Sequence, residues 1–225
     1  MENHKTHQHT HTCQERRNRL IVQHASTMVK PKTMTTREKI LHATQQILVE
    51  EGVLAANTNR IAARAEVNIA TLYKHFPNKQ SIFAVLLKEL EDERIRHISE
   101  NTASITTKDA WVSWGHEIVG AMTRFRQERP TLKALRSAVP LFKELREIDE
   151  ESSRDAAVAA SHRIEGKTAD AKAEIIEFFE LASNLVSHAL DAHCTDGDSY
   201  SRRLNALEGM LAGSYDYIKN LSQNP

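Results

Sequence analysis

The sequence predicts an all-α protein, and three observations carry that expectation. Gly and Pro are scarce, 7 and 5 among 225 residues, while Ala, Leu, Glu, Arg and Lys are plentiful, a composition that favours helices joined by short turns. No segment alternates apolar and polar residues as a half-buried strand would. From Thr36 onward apolar residues instead recur at three- and four-residue spacing, the period of a helix with one inward face.

Residues 1–33 mix His, Thr, Gln, Asn and Arg without an apolar face and read as a disordered, His-rich arm. Met28 and Met34 are both plausible starts for the chain, since the first convincing helix follows the second of them directly. That helix carries Ile40, Leu41, Ala43, Thr44, Ile47 and Leu48 inward, with Thr35 or Thr36 as N-cap and Gly52 as its stop. After the link 53–57, Thr58 is placed to cap a second helix that buries Ile61, Ala62 and Ala65. Glu66, Val67 and Asn68 make a turn, and a third short helix runs from Ile69 to His75, where Phe76-Pro77 ends it. Asn78 caps a long fourth helix, reaching about Glu100, whose inner side holds Ile82, Phe83, Val85, Leu86 and Leu90, with Ile95 and Ile98 continuing the row.

A polar connector, 101–107, precedes a new amphipathic series. Trp111, Trp114, Ile118, Met122 and Phe125 form a stripe from Lys108 to the break at Pro130, and a short helix spans Thr131 to Ala138. Residues 140–166 hold one or two further helices, with Leu141, Leu145, Ile148, Ala156 and Ala160 inward. Two long helices, 168–193 and 199–221, close the chain around the loop 195–198. The expected organisation is therefore an arm (1–33), a three-helix unit (34–80) joined through the fourth helix, and a larger helical domain (101–225).

Composition excludes several classes. Only Cys13 and Cys194 are present, so no disulfide framework is indicated and the cytoplasm is the natural compartment. The longest apolar runs fall well short of the roughly 20 residues that cross a bilayer, so no membrane partner is expected. The sequence contains no nucleophile elbow, no Gly-rich phosphate loop and no His-Glu-x-x-His pair, which argues against an enzyme and against a cofactor. The zero net charge hides an asymmetry: residues 1–79 hold 12 Lys/Arg against 6 Asp/Glu, and the remainder 18 against 24. A basic N-terminal part on an acidic remainder suggests that only the former meets a polyanion.

The informative stretch is Thr58 to Phe76, TNRIAARAEVNIATLYKHF. Two short helices around a tight turn form a helix-turn-helix, whose second helix fits the DNA major groove. Ile61, Ala62, Ala65, Val67 and Leu72 supply a shared core, leaving Asn68, Ile69, Thr71, Tyr73, Lys74 and His75 for the DNA-facing side. An apolar Ile69 there suits a thymine methyl group.

From Arg37 to about Leu90 the chain resembles the DNA-binding domain of the TetR/AcrR family. The residues that carry the resemblance are Gly52, Thr58, the Ile-Ala-x-x-Ala-x-Val run from Ile61, and Thr-Leu-Tyr-x-x-Phe-x-x-Lys from Thr71 to Lys79. It departs at Ile69-Ala70, where relatives often carry a polar or basic residue followed by a small one. The resemblance implies that Thr58, Thr71, Tyr73, Lys74, His75 and Lys79 lie at the DNA surface, with Thr58, Tyr73 and Lys79 mainly on phosphates.

A single helix-turn-helix buries too little surface to hold a specific site, so a homodimer reading a palindrome is expected. The last two helices suit that role: Phe179, Val186, Leu204, Leu207, Leu211 and Ile218 with the small Gly209 and Gly213 can pair across a two-fold axis, or can pack within one chain. By resemblance the larger domain encloses a ligand cavity, for which Trp111, Trp114, Met122, Phe125, Phe142 and Phe178 are apolar candidates, with Phe179 also available. His116, Arg124 and His188 are the polar candidates; an aromatic stripe at helical spacing is core first and pocket second. The function implied is a ligand-responsive repressor binding operator DNA, with an unidentified small-molecule effector. Two alternatives stand beside it: a metal-responsive regulator using His7, His9, His11 and Cys13 or His188, His193 and Cys194, and a DNA binder without a ligand.

Overall fold

A computed structural model describes residues 34–100, 103–165, 168–191 and 197–223, and residues 36–223 within it form one compact helical unit. The arm residues His7, His9, His11 and Cys13, and likewise His193 and Cys194, lie outside the described residues. Among the described residues no helix is long and apolar enough to cross a membrane, and no three His, Cys, Asp or Glu side chains gather as a metal site would require.

Helix α1 (Thr36–Glu50) buries the six residues its spacing marks. Gly52, at φ 82, ends it in the left-handed region, and its amide returns to the Ile47 carbonyl at 3.1 Å. Helix α2 (Thr58–Arg64) is capped by Asn57, not by the expected Thr58: the Asn57 side chain accepts from the Arg60 amide, and Thr58 is the first helical residue. Helix α3 (Ile69–His75) is capped by Asn68 and ended by Phe76. Helix α4 (Lys79–Ser99) opens on a reciprocal capping box between Asn78 and Ser81.

Helix α5 (Lys108–Gln127) and helix α6 (Pro130–Ala138) follow the expected bounds closely, with Pro130 at the first helical position where its missing N–H costs nothing. A short 3-10 turn, Val139–Leu141, then leads into helix α7 (Lys143–Ser161), so the described residues of the segment hold a single α-helix. Leu141, expected inward, is 59% exposed because that turn rotates it off the buried face.

Helix α8 (Ala169–Asp191) is continuous, but the last expected helix is broken into α9 (Gly197–Gly213) and α10 (Tyr215–Gln223). The physical reason sits on the Leu211 carbonyl, which an unbroken helix would offer to Tyr215. It accepts instead from the Trp111 indole N–H at 2.6 Å, from the Ser214 hydroxyl at 2.6 Å and from the Ser214 amide at 3.2 Å. The chain resumes its helical bonding one residue later, with Ile218 N–H donating to Ser214 O.

One hydrophobic cluster joins α1–α4 to the bodies of α5, α6 and α7: Ile40, Ile61, Leu72 and Phe83 share it with Phe125, Leu132, Leu135 and Leu145. A second cluster, around Trp111, Trp114, Ile175 and Phe179, and a third, around Val119, Met122, Leu207 and Leu211, fill the remainder.

Candidate nucleic-acid interface and cavity

The turn between α2 and α3 is a Schellman motif: Val67 N–H donates to Ala62 O at 3.0 Å and Glu66 N–H to Ala63 O at 3.2 Å. Glu66 takes the left-handed position, φ 55, that glycine usually occupies. Ala62 and Ala65 are small enough to let the two helices close, and Leu72 (0% exposed) and Phe76 (3%) pin α3 from beneath. The outward side is then fixed by the helical period. Tyr73 is half exposed, Lys74 and His75 are exposed, and Thr71 and Ile69 are half-buried, Ile69 packing against the core.

Thr58 and Tyr73 meet directly, their hydroxyl oxygens 3.1 Å apart across the two helices. Asn68 faces solvent, but its Oδ1 accepts the Ala70 amide at 2.8 Å, so the acceptor is committed to the cap and only its NH2 is free to face a ligand. Lys79 is half-buried with its ammonium 5.6 Å from the Phe142 ring centre, a cation–π placement. The guanidinium of Arg64 bridges Glu50 at 2.7 Å and Glu51 at 3.2 Å, and Arg60 pairs with Glu51, which fastens α2 to the end of α1.

Behind this head lies a cavity of about 50 Å³ among α4, α5, α7, α8 and α9. Of the residues expected to line a pocket, Trp114 and Met122 reach it. Trp111 is wholly buried with its indole spent on Leu211, and Phe125 lies beneath the Arg129 guanidinium at 3.9 Å in the first cluster. Phe142 packs on Phe83 near Lys79, Phe178 turns toward Tyr217, and His116 is exposed and bound to Glu208 at 2.8 Å. Phe179 does line the cavity, together with residues outside the expected set such as Ile118, Ala182 and Val186. Its charged members are Arg94 and Arg126, not the exposed Arg124.

These two arginines belong to a buried ionic network that helix periods alone did not single out. Glu91, 2% exposed, receives Arg94 Nε at 2.5 Å and lies 3.6 Å from Arg136. Arg136 also pairs with Asp149 and, at 2.8 Å, with Asp191, while Arg126 pairs with Asp191. Burial works against the charge on Arg136, but the carboxylates of Asp191, Asp149 and Glu91 outweigh it and hold its pKa above the ordinary value. Arg126 goes the other way: burial pulls it down, Asp191 resists, and Arg136, Glu91 and Arg94 contribute in alternating sign.

The residues expected at a dimer interface divide as well. Phe179, Val186, Leu207, Leu211 and Ile218 are buried inside the chain, where they pack on its other helices and leave little free surface. Leu204 is half-buried, and Gly209 and Gly213 are exposed, with no atom of the described residues within 4 Å of where a Cβ would stand.

Two short helices in a tight turn, the second exposed and pinned only from below, define a helix-turn-helix protein of all-α fold. Residues 40–86 match the family described as "Bacterial regulatory proteins, tetR family". The chain is similar to the uncharacterized HTH-type transcriptional regulator YvkB of Bacillus subtilis (strain 168), 38% identical over 33% of this chain and 39% of the relative. It is also similar to the nucleoid occlusion factor SlmA of Pasteurella multocida (strain Pm70), 30% identical over 46% of this chain and 51% of the relative. The chain thus spans about two-fifths to a half of the length of these curated relatives. Over most of its length it shares the fold of Salmonella enterica GusR, with TM-score 0.56 and 20% identity over 82% of this chain and 97% of that one. The TetR family repressor AlkX from Dietzia sp. matches with TM-score 0.54 and 16% identity over 86% and 100%. The matched family is described as regulatory proteins, YvkB is named a transcriptional regulator and AlkX a repressor.

Proposed function

We propose that the protein is a cytoplasmic, ligand-responsive transcriptional repressor that binds a palindromic operator as a homodimer. The observation that carries the DNA-binding part is α3: Leu72 and Phe76 hold it down while Tyr73, Lys74 and His75 face outward beside Thr58. Of the residues expected at DNA, these fit base edges and phosphates best, with Thr71 and Ile69 at the edge of the contact. The NH2 of Asn68 is a further donor, and Lys79 reaches a phosphate by leaving the ring of Phe142. On this reading residues 34–80 form the reading head, α4 the link, and 101–225 the sensing and pairing domain.

Pairing is supported by apolar side chains that the chain leaves uncovered. Leu181 (71% exposed) and Leu185 (36%) lie one turn apart on α8, Met210 (61%) lies on α9 and Tyr217 (51%) on α10. Gly209 and Gly213 allow another helix to approach closely. Sensing is supported by the mostly apolar cavity, and a repressor sign by the likeness to AlkX, itself named a repressor. A ligand that binds better when the two heads are wrongly spaced shifts the population away from DNA.

Light scattering of the purified chain, and footprinting on genomic fragments at low and moderate salt, test this reading. A two-fold symmetric footprint by a dimer, weakened by Tyr73→Ala and Lys74→Ala without loss of helicity, is expected; binding should fall with added salt as phosphate contacts release counterions. A chain that ignores duplex DNA at low ionic strength removes the proposal.

A further inference from the structure

The cavity's lining is one-sided in its chemistry. Its walls are apolar, with Trp114, Ile118, Met122, Phe179, Val186 and Leu211 prominent, and its polar side chains are Arg94, Arg126, Ser183 and Ser187, with no Asp or Glu among the lining residues. The two guanidiniums are only partly spent. Arg94 gives Nε to Glu91 and Nη2 to the Ser152 carbonyl at 3.2 Å, and its Nη1 has no partner among the described residues. Arg126 gives Nη1 to Asp191 and to the Ser187 carbonyl, and its Nε and Nη2 have no partner among the described residues. Three guanidinium nitrogens are therefore left over on two residues that line a mostly apolar space.

Resting on the sensor reading above, we propose that this cavity binds a small apolar molecule ending in a carboxylate, with Arg94 and Arg126 receiving the carboxylate and the apolar wall receiving the tail, which needs more than the roughly 50 Å³ now free and so must part the helices around it. A cation would meet two guanidiniums and no lining carboxylate. A neutral alcohol offers one oxygen where a carboxylate offers two, and the bond between ionised partners is the stronger one. The lowered pKa of Arg126 points the same way: buried, and near both Arg136 and Arg94, its charge is incompletely balanced, and an arriving anion completes the balance. A carboxylate bound here also competes with Glu91 and Asp191 for the same guanidiniums. It thereby touches the network that ties α4, the helix directly after the reading head, through Glu91 and Arg136 to α6, and onward to α7 and α8.

Isothermal titration of the full chain with hexanoate, hexanol and hexylamine, which share one tail, tests the proposal. Hexanoate is expected to bind about tenfold or more tighter than hexanol, because a site built to bond a polar group rejects an analogue that bonds it poorly. Hexylamine is expected to give no heat. Arg94→Met and Arg126→Met should each bring hexanoate down to the affinity of hexanol, and Ala182→Leu, which fills the apolar wall, should remove both. Should the arginine variants fail to fold, the unaltered chain still decides: hexanoate binding must weaken as pH falls through the ligand's own carboxyl pKa while hexanol binding stays level. Silence of hexanoate, equal or better binding of hexanol or hexylamine, or hexanoate binding indifferent to that pH change overturns the proposal. Duplex DNA binding on the same preparation separates the two readings. A chain that favours hexanoate but ignores DNA upholds this ligand class and removes the regulator, and one that binds DNA but favours hexanol does the reverse.

Discussion

The hydroxyl oxygens of Thr58, first residue of α2, and Tyr73, on the outward side of α3, lie 3.1 Å apart. That contact ties α2 to α3 on the side where, on the proposed reading, DNA sits, and it restrains the direction of the Tyr73 ring. Because both groups are partly solvated, the bond adds little to folding, roughly 0.5 kcal/mol or less, since water replaces it readily. Its weight falls on preorganisation. Tyr73→Phe and Thr58→Val should each weaken duplex DNA binding about three- to tenfold at nearly unchanged urea midpoint, and the double variant should lose less than the sum of the two. Strict additivity in gel-shift titrations would mean that the two hydroxyls act separately.

Leu72 sets the opposite case. It is fully buried on a helix of only seven residues, and with Phe76 it holds α3 on the core. Leu72→Ala should destabilise the fold by roughly 2–5 kcal/mol, read from chemical denaturation, and operator binding should fall with it. A variant that keeps full stability would mean that α3 is held by its caps and not by packing.

Glu91 serves both Arg94 and Arg136 from a position 2% exposed. Removing one partner of a buried ion pair leaves the other desolvated and uncompensated, so Glu91→Leu should cost about 3–5 kcal/mol. Adding Arg94→Leu should return part of that loss, measured as a double-mutant cycle by urea denaturation. A single-variant cost below about 1 kcal/mol would mean that water reaches the network.

Glu93 and Arg129 give the pH dependence. Two hydrogen bonds from Arg129, at 2.5 and 3.2 Å, lower the Glu93 carboxyl pKa, burial opposes, and the charges of Arg129, Arg96 and His97 reinforce the lowering. A carboxyl that titrates lower when folded contributes fully above the ordinary carboxylate range, and that contribution is lost as pH falls through the folded value. The stability difference between wild type and Glu93→Gln should therefore be greatest near neutrality and vanish in acid. A difference constant down to strongly acidic pH would show that the pair does not titrate with folding.

The sequence reveals the helices where its apolar period is strict and fails where a single tertiary bond intervenes. The inward faces of α1 and α3 follow from spacing alone, as do the ends at Gly52 and Phe76, because each is decided locally. The break after Gly213 does not, since it depends on the Trp111 indole reaching a carbonyl 100 residues away. Nor does the cavity's polar end, although a trace of it was present. Phe83, Leu87, Glu91, Arg94 and Ile98 continue one spacing of three and four, so a charged pair stands in the middle of a buried face. The aromatics of α5 and α8 were legible as interior, but which of them border open space depends on how five helices cross, and no one helix carries that information.

The apolar cluster beneath α3 does not stop at the end of the reading head. Ile61, Leu72 and Phe83 share it with Leu132, Leu135, Ala138 and Leu145 from α6 and α7. Excised by itself, the three-helix segment would expose the apolar area those residues cover, so it is poorly equipped to fold in isolation. Anyone grafting this head onto a foreign sensor must carry α6 along with it or rebuild that seam. For the same reason a cavity-forming change at Leu135 should loosen the grip on DNA as surely as one made beside the bases.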